Sequence, residues 1–248
     1  SVSIFEKTDK VLVKVKVSGG GRCNVTNATF SISQLIKNYP RGGRELKKSF
    51  NHFFTTDTIN WFENRGVTLK TEIDNRMFPI SNSSQTIVDI LLNSAENLSI
   101  RLSYKSKVKT ILPIENGINL SINSETLTFD KVIIASGGSQ KDSGLDWLKK
   151  IGYKIISPVP SLFTFNMPKN PITNLMGLSA LKVTACIKGS KLRQTGPLLI
   201  THWGMSGPAI LKLSAWGAQY LAKLNYNFSV QINWLSINED ELRSIFNN

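Results

Sequence analysis

Cysteine and histidine are scarce in this chain, with two of each in 248 residues. Cys23 and Cys186 stand far apart and make no metal or redox spacing, so a disulfide framework is not expected and a reducing compartment fits. His52 and His202 add too little for a zinc-ligand pattern, and no metal is expected. Long apolar runs are missing too. No stretch approaches the roughly 20 residues that a membrane-spanning helix needs, and the amino terminus lacks the charged-then-apolar pattern of a secretory leader. A cytoplasmic protein with no membrane partner is therefore expected. Internal repeats and low-complexity segments are absent. Acidic residues are outnumbered, 17 against 30 Lys and Arg, for a formal net charge of +13. A basic surface attracts nucleic acid, anionic membrane or phosphate-bearing ligands. The cations are spread along the whole chain, however, so a generally cationic, solvated surface is expected ahead of a dedicated nucleic-acid role.

What is present is an ordinary globular composition, 41% hydrophobic and 19% charged, enough for one large or two smaller domains. Val2 to Phe5 is a short apolar run ending in Glu6, as in a strand with an acid at its carboxyl end. "VLVKVKV" at 11–17 alternates as a strand does. "TTDTINWFENRGV" at 55–67 has helix start signals, apolar Ile59, Trp61 and Phe62, and Gly66 as a stop. A second helix is predicted after "SNSS", with Ile87, Ile90, Leu91 and Leu98 near helical spacing. "IRLSY", "KVKTILPIE", "INLSIN" and "TLTF" then alternate as strands, with Asn116-Gly117 as a hairpin turn. "KVIIASGG" reads as a strand buried on both faces. A short helix follows around Leu145 to Ile151. Proline punctuation at Pro158, Pro160, Pro168 and Pro171 marks the crossover to a second domain, giving domains at 1–163 and 164–248. Beyond it, Leu181 to Lys188 and Leu198 to Thr201 read as strands. Pro208 opens a helix whose face is Ile210, Leu213, Gly217, Tyr220, Leu221 and Leu224. "NEDELRSIFNN" reads as a further helix start.

The stretch "SGGGRCNVTN" at 18–27 carries the chemistry. It does not satisfy the dinucleotide fingerprint G-x-G-x-x-G, because Gly19 and Gly21 fit but Asn24 holds the third position. It does not satisfy the P-loop either, lacking Lys-Ser or Lys-Thr after the last glycine. Two alternatives stay open from the residues alone. One is an anion-facing loop of exposed backbone N–H groups, with Arg22 adding a charged donor; the other is a structural hairpin loop. Glu6, at a strand end, is placed as the acid that holds ribose hydroxyls in a dinucleotide fold would be. His202, between Thr201 and Trp203, is a candidate acid or base, set against a packed structural histidine. Arg76, before "MFPIS", is either a surface turn or part of a ligand cleft.

Taken in order, "FEKTD", "SGGGRCNVTN", "RMFPIS" at 76–81, "IIASGG" at 133–138 and "LLITHWGMSGPAILKLS" at 198–214 resemble the bacterial flavoprotein family known as YhiN or BaiN, and the resemblance covers essentially the whole chain. It implies an α/β fold: a Rossmann-like, glutathione-reductase-type FAD-binding domain with an inserted domain that is β-rich and helical. It implies FAD as cofactor, NAD(P)H or oxygen as second partner, and hydride transfer between flavin and a small-molecule organic substrate. By that likeness Glu6 would hold the adenosine ribose, and Gly19, Gly20, Gly21, Arg22, Cys23 and Asn24 would lie along the pyrophosphate and flavin. Val108 would meet the adenine, and Ala135, Gly137 and Gly138 would pass close to the cofactor. Cys23 would be a catalytic candidate beside the flavin, or a packed thiol. Family members ordinarily begin with a strand and glycine fingerprint and continue past residue 248. The chain, opening on Ser1, is thus expected to be a fragment truncated at both ends and lacking the first strand. "KVLVKVKV" replaces the family's usual glycine-arginine-lysine run, which is expected to remove one phosphate contact. Two other outcomes are an RNA-associated flavoprotein-like module and an inactive truncated product.

Overall fold

A computed structural model of the chain describes residues 1–139, 142–237 and 239–246. The chain divides into two compact units, Ser1–Ile155 and Ile156–Asn248.

The first unit opens with β1 (Ser3–Phe5), followed by α1 (Val13–Gly21), β2 (Thr26–Asn27), α2 (Ile32–Leu35), α3 (Gly43–Phe50) and α4 (Thr55–Glu63). Next come β3 (Leu69–Thr71), β4 (Arg76–Pro79), α5 (Ser84–Asn97) and β5 (Arg101–Ser103). The meander β6 (Val108–Ile114), β7 (Gly117–Ile122) and β8 (Glu125–Phe129) and then α6 (Asp146–Lys150) complete it. β1 and β5 pair in parallel, Ser3 with Arg101 through Phe5 with Ser103. The antiparallel sheet β2-β4-β3 and the meander stand as separate three-stranded sheets. Cys23, Val67, Leu69, Met77 and Ile87 form the buried core, with Val15, Val25, Ile59, Phe62, Ile90 and Leu91 packed on it. Phe129 of β8 meets Phe5 of β1 edge to face at 5.7 Å.

Two expectations are corrected here. "VKVKV" is helical, not a strand: Lys16 N–H donates to the Leu12 carbonyl, and α1 lies against α5, where Ser84 Oγ donates to the Lys16 carbonyl at 2.7 Å. A strand would align all three valines on one face, yet only Val15 reaches the core, while Val13 and Val17 are exposed. The β preference of valine is small, and tertiary packing overrides it. "KVIIASGG" is not in a strand either, and Ile133 is 92% exposed. A buried strand needs a neighbouring ladder, and β5 is the one strand paired with β1 among the described residues.

The second unit is a five-stranded antiparallel sheet crossed by one long helix. In chain order it holds β9 (Phe165–Asn166), β10 (Ser179–Ile187), β11 (Arg193–Thr201), β12 (Gly204–Ser206), α7 (Pro208–Lys223), β13 (Val230–Asn233) and α8 (Glu239–Phe246). The strand order is β13-β10-β11-β12-β9. Of the expected carboxyl-terminal helix, Asn238, Asn247 and Asn248 lie outside the described residues. α7 places Ala209, Ile210, Leu213 and Leu221 at full burial against Val183, Ala185, Ile187, Leu198 and Ile200 of the sheet. Gly207 caps it at φ 96°, and a Cβ there would stand 2.8 Å from the Pro197 carbonyl oxygen, so only glycine fits. Ser214, buried in the same helix, donates to the Leu211 carbonyl and accepts from the Phe163 N–H.

Candidate functional site

The carboxyl end of the parallel pair β1–β5 is the natural starting point, since ligands of open parallel sheets bind beyond the strand ends. Glu6 stands there. Its N–H donates to the Ser103 carbonyl, and its own carbonyl accepts from Ser106, which ties the turn after β1 to the turn after β5. Its carboxylate accepts from the Thr8 N–H and the Thr8 hydroxyl, both at 2.8 Å and both on Oε1. These two bonds, the backbone one foremost, hold the Glu6 carboxyl below its ordinary value of 4.5 against a smaller opposing effect of burial. The Lys7 charge and N–H lower it further in smaller measure, and the half-buried carboxylate keeps part of its surface open. Val108, half-buried at the start of β6, follows Ser106 by two residues and pairs with Ile122.

α1 leads into the glycine loop. Ser18 leaves the helical conformation, and Gly19, Gly20 and Gly21 follow at φ 56°, 68° and 83°, a run that L side chains resist. The N–H groups of Arg22 and Cys23 both donate to the Ser18 carbonyl and close the loop. A Cβ on Gly19 would stand 2.8 Å from the Phe78 ring and 2.9 Å from the Asn24 nitrogen, so that glycine serves internal packing. Cβ atoms on Gly20 and Gly21 would meet open space, so their backbone is bare toward solvent. Gly137, at φ 77°, is likewise exposed, and the one group near its missing Cβ is the Lys14 Nζ from α1, 2.8 Å from that position. Ala135 and Gly138 are exposed beside it.

Arg22 does not reach freely into solvent. Its guanidinium pairs with Glu72 and lies 4.1 Å over the Phe78 ring. The other Glu72 oxygen holds Arg76 at 3.3 Å, and Arg76 Nε donates to Asp74 at 2.6 Å. Arg76 also stands over Phe78, at 5.3 Å. Two arginines thus share one carboxylate and one ring, and they fasten the glycine loop to β4. Val25 N–H donates to the Met77 carbonyl, and the Asn24 amide, oriented by its surroundings, donates to the Met77 and Thr26 carbonyls. Cys23 is 6% exposed at φ 60°, and its thiol is part of the apolar core.

His202 belongs to the second unit. It sits exposed in the turn between β11 and β12, its ring 4.1 Å from that of Trp203. The neighbouring Thr201 Oγ1 is buried without a partner among the described residues. His52 is exposed after α3. Two residues that sequence reasoning missed are Lys14 and Glu72. Lys14 was hidden by the strand-like alternation around it, and Glu72 stands 50 residues from its partner Arg22. Together the first unit offers a half-buried carboxylate at a parallel strand end, a cation beside a bare glycine turn, and a second stretch of bare backbone. Those features fit a dinucleotide: an acceptor for ribose hydroxyls, a charge for phosphates, and backbone that a ligand can approach closely. Among the described residues no cluster of His, Cys, Asp and Glu could hold a metal ion.

The family model described as "HI0933-like protein Rossmann domain" matches residues 1–225. Three curated relatives illustrate its range. "Ribosomal RNA dihydrouridine synthase" of Escherichia coli is 27% identical over 212 residues, 82% of this chain and 52% of that protein. The protein of the same name from Haemophilus influenzae is 27% identical over 227 residues, 86% of this chain and 55% of that one. "3-dehydro-bile acid delta(4,6)-reductase" of Clostridium scindens is 22% identical over 258 residues, 99% of this chain and 61% of that one. The chain therefore spans between about half and three-fifths of the length of these relatives.

Proposed function

The chain belongs to the HI0933-like Rossmann-domain family, and from that premise we propose that it binds FAD and serves an oxidoreductase reaction between the flavin and an organic substrate. The observation that carries this is Glu6: a half-buried carboxylate at the carboxyl end of a parallel strand, held below its ordinary pKa chiefly by the Thr8 N–H and hydroxyl. In this assignment Glu6 accepts from the adenosine ribose, and Val108 lies along the adenine. Lys14, beside Gly137, faces the phosphates and supplies the cation that the departure from the family's usual run was expected to remove. Gly20, Gly21, Ala135 and Gly138 let the cofactor approach the backbone, while Gly19, Cys23 and Asn24 hold the loop's shape. The Arg22–Glu72–Arg76 cluster fixes that loop on β4. In this assignment residues 1–163 are the FAD-binding part and 164–248 the second domain, and His202 stays a candidate acid or base.

Bound FAD supplies two-electron hydride chemistry, and the protein's part is to place and tune it. NAD(P)H would be the second partner if the organic substrate is reduced, as the hydride donor, and oxygen would be the second partner if it is oxidised, as the electron acceptor. A nucleobase in RNA is the second substrate class to consider, favoured by the net charge of +13 and by two relatives named for ribosomal RNA. Titration of the chain with FAD, followed by quenching of flavin fluorescence, tests the cofactor assignment. Saturable binding weakened about tenfold or more by Glu6→Gln is expected, the loss of one hydrogen bond to a charged acceptor. Equal binding by both proteins would remove Glu6 from the site.

A further inference from the structure

Residues 37–48 hold a concentration of charge that the flavin assignment does not use. Lys37, Arg41, Arg44, Lys47 and Lys48 are all exposed, and Glu45 is the one acid among them. Arg44, Lys47 and Lys48 fall at i, i+3 and i+4 on one face of α3, while Leu46 and Phe50 fall on the opposite face and are half-buried. Phe50 is held by Tyr39 at 6.0 Å and Phe54 at 5.9 Å between ring centres. A shallow depression of about 370 Å³ is lined by Lys37, Tyr39, Arg41, Arg44 and Glu45. Tyr39 is 39% exposed within it, and Phe53, 55% exposed, follows α3 directly.

Like charges three and four apart on a helix repel, and Arg44 stands in the first turn, where the helix dipole disfavours a cation. An anionic partner would relieve both costs. The inward turn of Leu46 and Phe50 removes the apolar face that a helix needs to lie in a membrane surface. What remains outward is cations with interspersed rings, the combination that holds a single-stranded nucleic acid through its phosphates and its bases.

We propose that the α3 face, with Tyr39 and Phe53, is a binding surface for single-stranded nucleic acid. Phosphates lie on Lys37, Arg44, Lys47 and Lys48, and bases stack on the exposed rings. The surface deepens the RNA assignment above without depending on the flavin site. The test is fluorescence anisotropy of labelled 20-residue oligouridylate and oligothymidylate against the full chain over a range of KCl. The triple variant Arg44→Gln, Lys47→Gln, Lys48→Gln keeps good helix formers on α3. The control Lys182→Gln, Lys188→Gln, Lys191→Gln removes the same charge from exposed positions of the second unit.

The α3 variant is expected to bind at least tenfold more weakly, with a slope of log affinity against log salt shallower by about two, since each phosphate contact to a single strand contributes about 0.7. The control should stay within about twofold. Phe53→Ala, at an exposed position, should cost about fivefold or more from lost stacking. Equal binding of both oligonucleotides assigns the surface to either backbone, and preference for oligouridylate joins it to the RNA assignment. Equal losses in variant and control would reduce the effect to net charge and overturn the proposal. So would unchanged binding by the α3 variant, or capture of phosphatidylglycerol vesicles through α3 without oligonucleotide binding. FAD affinity, unchanged in the α3 variant, separates this outcome from failure of the flavin site.

Discussion

Glu6 accepts from the Thr8 N–H and the Thr8 hydroxyl on a single oxygen, and those two bonds set the direction of its pH behaviour. Its carboxyl titrates below 4.5, chiefly because of the Thr8 N–H and hydroxyl. A depressed folded-state value means the ionised form is fully present above the ordinary carboxylate range and is lost as pH falls through the lowered one. FAD affinity is therefore predicted to be flat from pH 8 down to about pH 5 as far as Glu6 is concerned. Thr8→Val should move the onset of loss upward, measurable by FAD titration across pH or by NMR of the Glu6 side chain. A second residue-level prediction concerns Arg22, whose guanidinium pairs with Glu72 while stacking on Phe78. Lysine keeps the charge but loses the planar stack. Arg22→Lys should cost about 1 kcal/mol in urea denaturation, and Arg22→Lys combined with Glu72→Gln should cost less than the sum of the two singles. The glycines are legible in the sequence as a loop, but the arginine's partner is not: nothing local at Arg22 points to a carboxylate 50 residues on.

Whole elements differ in how much of them can be read from the chain. α7 is legible because its apolar face repeats over 16 residues and the sheet beneath it is equally apolar, so local pattern and tertiary packing agree. Leu213→Ala, at a fully buried position, is predicted to destabilise the chain by about 2 to 5 kcal/mol in denaturant melts. α1 is not legible, since a five-residue alternation of Val and Lys suits strand and helix alike, and the deciding contact is the packing on α5. "KVIIASGG" fails for the complementary reason: its composition meets the demands of a buried strand, but pairing depends on a neighbour that the segment does not contain. α3 is hidden by its polarity, because a helix with two inward residues gives little periodic signal. The same feature makes it informative in the structure, where the Arg44, Lys47 and Lys48 stripe stands apart from the dispersed charge that composition suggests.

At the scale of the whole molecule, no helix among the described residues is long and apolar enough to cross a membrane. Family membership and the parallel strand pair agree on an α/β, Rossmann-like architecture. The site proposed in the first unit would draw on four separated segments: the turn after β1, α1 with its glycines, the start of β6, and the exposed glycines at 137–138. Each segment was visible in the sequence, but Lys14 beside Gly137 emerges only when α1 is a helix. Lys14→Ala should accordingly weaken FAD binding while leaving thermal stability within about 0.5 kcal/mol, as for an exposed side chain. The most direct test of the central claim is the FAD titration of the 248-residue chain with and without Glu6→Gln. Saturable binding of one FAD per chain, weakened about tenfold or more by the substitution, is the predicted result. No FAD binding at any concentration, or binding indifferent to Glu6, would contradict it.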